Sequence, residues 1–320
     1  MYKENIPIFF TIDESYAPYA GVAIKSLIEN ASKNYNYKII VLHENIKKES
    51  IEKIAKLATQ NCKIEFHTME KGLETITDRV ENKLRCDYFT LTIFFRLFIA
   101  DMFPEYDKGI YLDSDIVVPG DISELYNIDL ENNMIGASRD HSIQEIPELQ
   151  YYAKNAIGKD IKEYINSGIL LLNLKMMREK KFSEKFLHLL NKYHFDTVAP
   201  DQDYLNAICM GKVKFLDETW DAMPNDNKKP LENPNLIHYN LFAKPWCYDN
   251  IQYEDYFWKY AKNSEFYNTI TNFKNNYSDE QKLSDTKSLN EIIGKAGRIP
   301  DTTNITFKKI YESGEDVRVW

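Results

Sequence analysis

Glycine, cysteine and clustered positive charge are all scarce in this chain of 320 residues. The four cysteines, Cys62, Cys86, Cys209 and Cys247, show no Cys-x-x-Cys spacing, which argues against a zinc ribbon or a dithiol redox pair and predicts reduced structural thiols. Among only 11 glycines, no Gly-x-Gly-x-x-Gly follows the first predicted strand, so the usual dinucleotide fingerprint is missing. No window approaches the ~18 apolar residues of a membrane span, and the opening Met1-Tyr-Lys-Glu-Asn-Ile-Pro lacks the apolar core of a secretory leader. Lys and Arg number 40 against 49 Asp and Glu, a net charge of −9 without a basic stripe. Phosphate neutralisation needs clustered cations, so no nucleic-acid partner is expected. Together these absences predict a soluble, cytoplasmic protein.

What the chain does contain is globular, with 43% hydrophobic residues and 22 tyrosines. Tyrosine suits surfaces that stack on sugars and bases, and it is also a common strand residue. The length accommodates one large α/β domain or two medium ones. The most informative stretch is Lys108-Gly-Ile-Tyr-Leu-Asp-Ser-Asp-Ile-Val-Val-Pro-Gly120. Residues i and i+2 of an extended segment share a face, so Asp113 and Asp115 can address one cation. Two hard carboxylates that leave coordination positions open suit Mg²⁺ or Mn²⁺ on a substrate diphosphate. Asp-x-Asp-x-Val after an apolar strand also resembles the haloacid-dehalogenase phosphatase signature, in which the first Asp, here Asp113, is the nucleophile and Asp115 the acid.

Strand-like and helix-like segments alternate. Strands are expected at Ile6–Asp13, Tyr37–His43 and Lys63–Thr68, with helices at Ala17–Asn30, Lys47–Thr59 and Thr90–Phe103. The second half predicts strands at Met134–Ser138, Gly168–Leu172, Val213–Leu216 and Leu236–Tyr239. Its helices are expected at Phe182–Tyr193, Asp201–Met210 and Gln252–Asn263. This order implies βαβ units and a Rossmann-like, largely parallel sheet. Beyond about Asn275 the sequence turns polar, and a tail or small helical appendage is expected.

Five other segments carry polar residues in otherwise apolar surroundings: Phe9–Tyr19, Thr92–Asp101, Tyr164–Asn173, Pro200–Asn206 and Ile237–Trp246. Each has a structural reading. Asp13 can cap a helix, and Arg96 within an apolar helix needs an anion such as Asp101 or another carboxylate. Asn166 can sit in a turn, Asp201 and Asp203 can satisfy first-turn amides, and His238 can be structural.

In combination with the Asp113 strand, these segments make the chain resemble glycosyltransferase family 8, retaining enzymes that include bacterial lipopolysaccharide galactosyl- and glucosyltransferases and glycogenin. The resemblance runs from about Ile6 to Trp246. It implies a GT-A fold: an α/β, mostly parallel mixed sheet flanked by helices, with a C-terminal helical extension. The transferase domain is expected over residues 1–250, with a nucleotide-binding half to about 120 and an acceptor and sugar half beyond it. Residues 251–320 would form the extension and tail.

The resemblance also implies a UDP-sugar donor, UDP-glucose or UDP-galactose, and a glycan, glycolipid or glycoprotein acceptor. Asp113, Asp115 and His238 would hold the metal, and a nitrogen donor beside two carboxylates favours Mn²⁺ over Mg²⁺. Thr11, Asp13 and Tyr16 would bind uridine, and Ser114 would join them in contacting the donor. Arg96 would lie beside the sugar and diphosphate, Asn166 and Asp201 on sugar hydroxyls, and Gln202 near the anomeric carbon. Lys244 would stabilise charge on departing UDP. Gln202, Asp203 and Lys244 thus form the expected catalytic set. Retention proceeds either through a carboxylate nucleophile, Asp203 or Asp201 by analogy with retaining hydrolases, or by front-face attack. At Leu241 the chain departs from the family's His-x-x-Gly-x-x-Lys-Pro-Trp pattern, and a leucine amide can serve a phosphate only if its dihedrals are ordinary. A non-catalytic nucleotide-sugar-binding protein is the alternative that this departure keeps open. Residues 276–320 have balanced charge, so membrane association is expected to be peripheral at most, at the inner face.

Overall fold

The computed structural model describes residues 5–68 and 91–319. Cys86 and the predicted helix start at Thr90 lie outside them; Cys62, Cys209 and Cys247 are free thiols. In chain order the elements are β1 (Asn5–Ile12), α1 (Ala17–Asn30), β2 (Asn36–His43), α2 (Lys48–Ala55), β3 (Cys62–Thr68), a 3₁₀ segment (Leu91–Leu97), α3 (Ile99–Met102), β4 (Gly109–Leu112), β5 (Ile116–Val117), α4 (Ile122–Tyr126) and β6 (Ile135–Arg139). There follow α5 (Pro147–Tyr152), β7 (Ile165–Leu172), α6 (Leu174–Glu179), α7 (Phe182–Tyr193), α8 (Pro200–Ile208), β8 (Val213–Phe215), β9 (Ile237–His238), α9 (Glu254–Ala261), α10 (Tyr267–Asn275), α11 (Asp279–Thr302) and α12 (Phe307–Glu312).

The main sheet has seven strands in the order β3-β2-β1-β4-β7-β6-β8, and β5 pairs with β9 in a small second sheet. The chain winds from β1 outward to β3, then returns across the sheet to place β4 on the other side of β1. Such a reversal opens a crevice at the carboxyl ends of the two central strands. β1 runs parallel to β2 and β4, whereas β7 is antiparallel to both β4 and β6. The inversion brings the amino end of β7 beside the carboxyl end of β4, with Leu112 opposite Ile169. Asn166-Ser167-Gly168 therefore arrives next to Asp113.

Both faces of the sheet are covered. On β1 and β2 the alternation is strict: Phe9, Ile40 and Leu42 join one core cluster, while Ile8, Phe10, Ile39 and Val41 join the other. Period-2 side-chain alternation is the cause, and a sheet buried on both faces needs apolar residues at every position. One expectation needs correction. The Thr90–Phe103 segment is not a continuous α-helix but the 3₁₀ segment followed by the short α3. Phe94, Phe95, Leu97 and Phe98 are all buried, so no single apolar stripe holds the segment in α geometry. After Asn275 the expected C-terminal helical extension is present as α11 and α12, and it packs on the core. A Ser278–Gln281 capping box opens α11, and Ile292, Ala296 and Ile299 on its inner face join the core with Phe307, Val317 and Val319. Buried residues at i, i+4 and i+7 form one stripe, which a mostly polar composition conceals. Among the described residues no helix is long and apolar enough to cross a membrane.

Candidate active site

The crevice collects most of the predicted site residues, from the ends of β1, β4, β7 and β9, from the Leu91–Leu97 segment, from the start of α8 and from the loop after β9. Asp113 and Asp115 flank the turn between β4 and β5. β5 pairs with β9 so that Ile116 stands opposite His238, and the Tyr239 amide donates to the Asp115 carbonyl at 2.9 Å. One ligand atom from each of Asp113, Asp115 and His238 falls within 4.8 Å of the others. β7 forms the floor: the Asp113 amide donates to the Gly168 carbonyl at 2.7 Å. A Cβ on Gly168 would lie 2.4 Å from His238 Cε1 and 2.8 Å from Asp113 Oδ2, so only glycine leaves room for the triad.

The donor set fits a divalent cation. Two hard oxygens and an imidazole converge, and His238 Nδ1 is held by Asp221 Oδ1 at 3.1 Å, leaving Nε2 as the atom facing the carboxylates. Protein groups also meet the two carboxylates. Arg96 Nη2 donates to Asp113 Oδ1 at 2.9 Å, joined by the Tyr111 hydroxyl at 2.7 Å. Because the Tyr111 proton is committed there, Thr11 must be the donor in the 2.8 Å Thr11–Tyr111 contact. Lys244 donates to Asp115 and, at 2.7 Å, to the Tyr239 carbonyl. Burial opposes the His238 imidazolium, yet the Asp115 and Asp221 carboxylates outweigh it and push its pKa up to about 10. Burial also raises Asp113 despite Arg96, whereas Lys244 and His238 hold Asp115 well below the usual carboxylate range against its own burial.

Arg96 finds the compensating anions that its apolar segment demanded, but they are Asp113 and Asp201 rather than Asp101. Its Nε lies 3.2 Å from Asp201 Oδ2, its Nη1 donates to the Ser167 carbonyl at 2.6 Å, and its guanidinium sits 4.4 Å from the Tyr111 ring centre. Asp101 instead takes the Ser183 hydroxyl. The guanidinium thus joins the Asp113–Asp115–His238 side of the crevice to a side built on the amides of Asn166 and Gln202. Gln202 Oε1 accepts from the Ser167 amide at 3.0 Å, and Asn166 Oδ1 from the Gly168 amide at 2.8 Å. Asp201 Oδ2 also accepts from the Ser167 hydroxyl at 2.9 Å.

Asp203 is not brought to this site. It is fully buried and accepts from the Tyr152 hydroxyl at 2.9 Å, from the Tyr164 hydroxyl, and from the amides of Val198 and Ala199 at 2.9 Å each. Successive helical residues are rotated by about 100°, so Asp201 and Asp203 at the start of α8 cannot face the same ligand. Asp13 accepts from the Ser15 hydroxyl at 2.6 Å and the Tyr16 amide at 3.0 Å through one oxygen, leaving the other without a partner among the described residues. The Tyr16 ring centre lies 6.0 Å from Lys244 Nζ, and Ser114, behind the metal pair, points its hydroxyl at the Thr11 carbonyl, 3.4 Å away. Leu241 has φ of 53°, a left-handed conformation natural to glycine and strained for leucine. The backbone path of a glycine persists there with a different side chain.

Sequence reasoning passed over Asp140 and Asp221. Asp140 follows β6 as Asp13 follows β1, the signal of a carboxylate ending an apolar strand. Asp221 carries no local signal, since only folding sets it behind His238.

A mixed α/β sheet with an Asp-x-Asp turn and an opposing histidine at its switch point defines a GT-A glycosyltransferase. The chain belongs to glycosyltransferase family 8, whose description, Glycosyl transferase family 8, matches residues 7–250. A Haemophilus influenzae protein assigned to the glycosyltransferases by name alone is 33% identical over 237 residues, 73% of this chain and 68% of its own length. A lipopolysaccharide 1,2-glucosyltransferase of Escherichia coli K12 is 27% identical over 271 residues, 78% of this chain and 77% of its own. Among solved structures, the galactosyltransferase LgtC with donor and acceptor sugar analogues superposes with a TM-score of 0.69 at 24% identity, covering 87% of this chain and all of that one. Family membership removes the phosphatase reading. The geometry agrees, since Asp113 Oδ1 is already occupied by Arg96 and Tyr111.

Proposed function

We propose that this glycosyltransferase moves a hexose from UDP-glucose or UDP-galactose to a glycan or glycoconjugate acceptor with retention of anomeric configuration, and that it depends on Mn²⁺. The convergence of Asp113, Asp115 and His238 at the switch point, beside the oriented amides of Asn166 and Gln202, carries this reading. Asp113, Asp115 and His238 hold the metal, which when bound supplies Lewis-acid neutralisation of the diphosphate. Lys244 adds a second positive charge and stabilises the departing UDP. Thr11, Asp13, Tyr16 and Ser114 line the nucleoside end. Asn166, Asp201 and Gln202 orient the sugar, with Arg96 holding Asp113 and Asp201 in place.

A front-face route has the better support. Both Asp203 oxygens are engaged inside the core, and Asp201 Oδ2 is tied to Arg96 and Ser167. Gln202 is a poor nucleophile, so the β-phosphate oxygen is the natural acceptor of the proton of the incoming hydroxyl. The name of the Escherichia coli relative suggests a lipopolysaccharide-type saccharide acceptor, met at the cytoplasmic face by an enzyme at most peripherally attached.

The test is UDP release from UDP-glucose, UDP-galactose and UDP-N-acetylglucosamine with Mn²⁺ or EDTA, comparing wild type with Asp115→Asn. The expected result is turnover of one donor, lost with EDTA and reduced roughly 10²–10³-fold by the substitution. Turnover that survives both treatments overturns metal dependence, and a trapped glycosyl–Asp203 adduct in wild-type enzyme overturns the front-face route.

A further inference from the structure

We infer that Asp140, a residue that does not touch the metal triad, is a positioning residue that sets which way round the amides of Gln202 and Asn166 face. The inference rests on the transferase reading above, in which these two amides line the donor sugar. Asp140 is completely buried at the carboxyl end of β6. Its Oδ1 accepts from the Ser142 amide at 3.2 Å and from the Ser142 hydroxyl at 2.5 Å, which closes the turn that carries it. Its Oδ2 accepts from Gln202 Nε2 at 3.0 Å and from Asn166 Nδ2 at 3.3 Å.

A side-chain amide offers an oxygen acceptor at one end and two N–H donors at the other, and a rotation of 180° exchanges them. Here each amide is addressed from both ends. The Ser167 N–H requires the Gln202 oxygen, and the Gly168 N–H requires the Asn166 oxygen. Backbone amides can only donate, so these two contacts exclude the flipped orientations. Asp140 completes the pattern from the opposite side, because a carboxylate only accepts. The two backbone donors and the one buried carboxylate between the amide nitrogens together give both side chains a single polarity. The Gln202 carbonyl oxygen is turned to Ser167, and each amide nitrogen keeps one N–H that has no protein partner among the described residues. In the transferase reading these N–H groups are the ones left to serve the donor hexose.

Asp140→Asn preserves shape and inverts the polarity of one end. If the new carbonyl keeps the Ser142 contacts, an NH₂ group faces two NH₂ groups. Gln202 and Asn166 must then turn away or abandon the backbone donors, and leaving a buried group unpaired is costly. The metal triad and the nucleoside end share no hydrogen bond with Asp140. Its loss should therefore appear in the chemical step and not in nucleotide affinity.

The experiment is a double-mutant cycle of wild type, Asp140→Asn, Gln202→Ala and the double variant, measuring kcat and donor KM for UDP-sugar turnover, with Mn²⁺-dependent UDP binding as a check of integrity. Asp140→Asn is expected to lower kcat roughly 10–100-fold while donor KM and UDP affinity stay within about threefold. In the Gln202→Ala background the same change should cost clearly less than in wild type, because one of the two amides it acts through is gone and only Asn166 remains. A kcat within about threefold of wild type, or the full cost persisting in the Gln202→Ala background, overturns the inference, as does UDP affinity falling in parallel with kcat. Wild type inactive on every donor would instead refute the transferase reading. The polarity claim then stands or falls on the side-chain NH₂ resonances of Gln202 and Asn166. These should be resolved and protected in wild type and shift in Asp140→Asn, and their invariance refutes the claim.

Discussion

The two sides of the crevice sit on adjacent strands yet satisfy their polar groups by opposite means. On the proposed metal side most groups are charged, and Lys244 and an imidazolium at His238 balance carboxylates that would otherwise meet a divalent cation. On the sugar side the ligand-facing groups are mostly neutral amides, each determined from both ends by backbone N–H groups and by Asp140. Charge can be compensated by any cation that arrives, whereas a hydrogen-bond polarity admits one solution. The proposed metal side would therefore exchange one cation for another, whereas the amide side is preformed. Arg96 binds the two together through Asp113 and Asp201.

Removing that link should have the largest effect. Arg96→Met leaves two carboxylates facing each other in a buried site without their cation, and a loss of about 3–5 kcal/mol in urea unfolding is expected. A loss under about 1 kcal/mol would mean that the two sides are not joined through this residue. The next effect lies behind the sugar side, where Lys159 is buried with its amine on Asn206 Oδ1 at 3.3 Å. Burial depresses its pKa to about 8. Folding then disfavours the charged amine below that value, and stability should rise with pH between about 8 and the unfolded value near 10.4, where the unfolded chain binds more protons. Lys159→Met should accordingly stabilise the protein by about 2 kcal/mol at pH 7, and by much less at pH 10, in chemical denaturation. An equal gain at both pH values would show that burial of charge is not the cause.

On the metal side, Lys244→Met removes the built-in competitor for Asp115. Calorimetric Mn²⁺ affinity without nucleotide should tighten at least roughly tenfold, while UDP affinity falls. Weaker binding of the free metal would contradict the exchangeable picture. The smallest effect is expected at Leu241. Leu241→Gly relieves left-handed strain of about 1–2 kcal/mol but adds freedom to the unfolded chain, so thermal stability should change by less than about 1 kcal/mol. A larger loss would show that the leucine side chain holds the Lys244 loop.

Much of this was legible in the chain. The strand carrying Asp113 and Asp115 announced itself by an apolar run ending in two carboxylates one residue apart, and α1 and α7 were bounded correctly by apolar periodicity alone. The Arg96 segment was recognised as needing an anion, but not which one, because Asp113 and Asp201 are 17 residues ahead and 105 residues ahead in sequence. For α11 the sequence left a tail and a small helical appendage both open, because its buried stripe is narrow. Asp203 was placed among the catalytic candidates because the resemblance lines the donor sugar with the Asp201-Gln202-Asp203 element and retaining hydrolases use a carboxylate nucleophile. On a helix these three residues point in three directions, and Asp203 points into the core.

By itself the sequence determined the alternation of strands and helices, the polar residues waiting at strand ends, and the family, because these depend on local periodicity and on motifs within a few residues. Only the tertiary structure decided that His238 faces Asp115, that Arg96 spans two carboxylates and that Asp140 orients two amides. Each of those contacts is made by strands and helices far apart in the chain, and their polarity follows from which donors the folded backbone leaves exposed at that place.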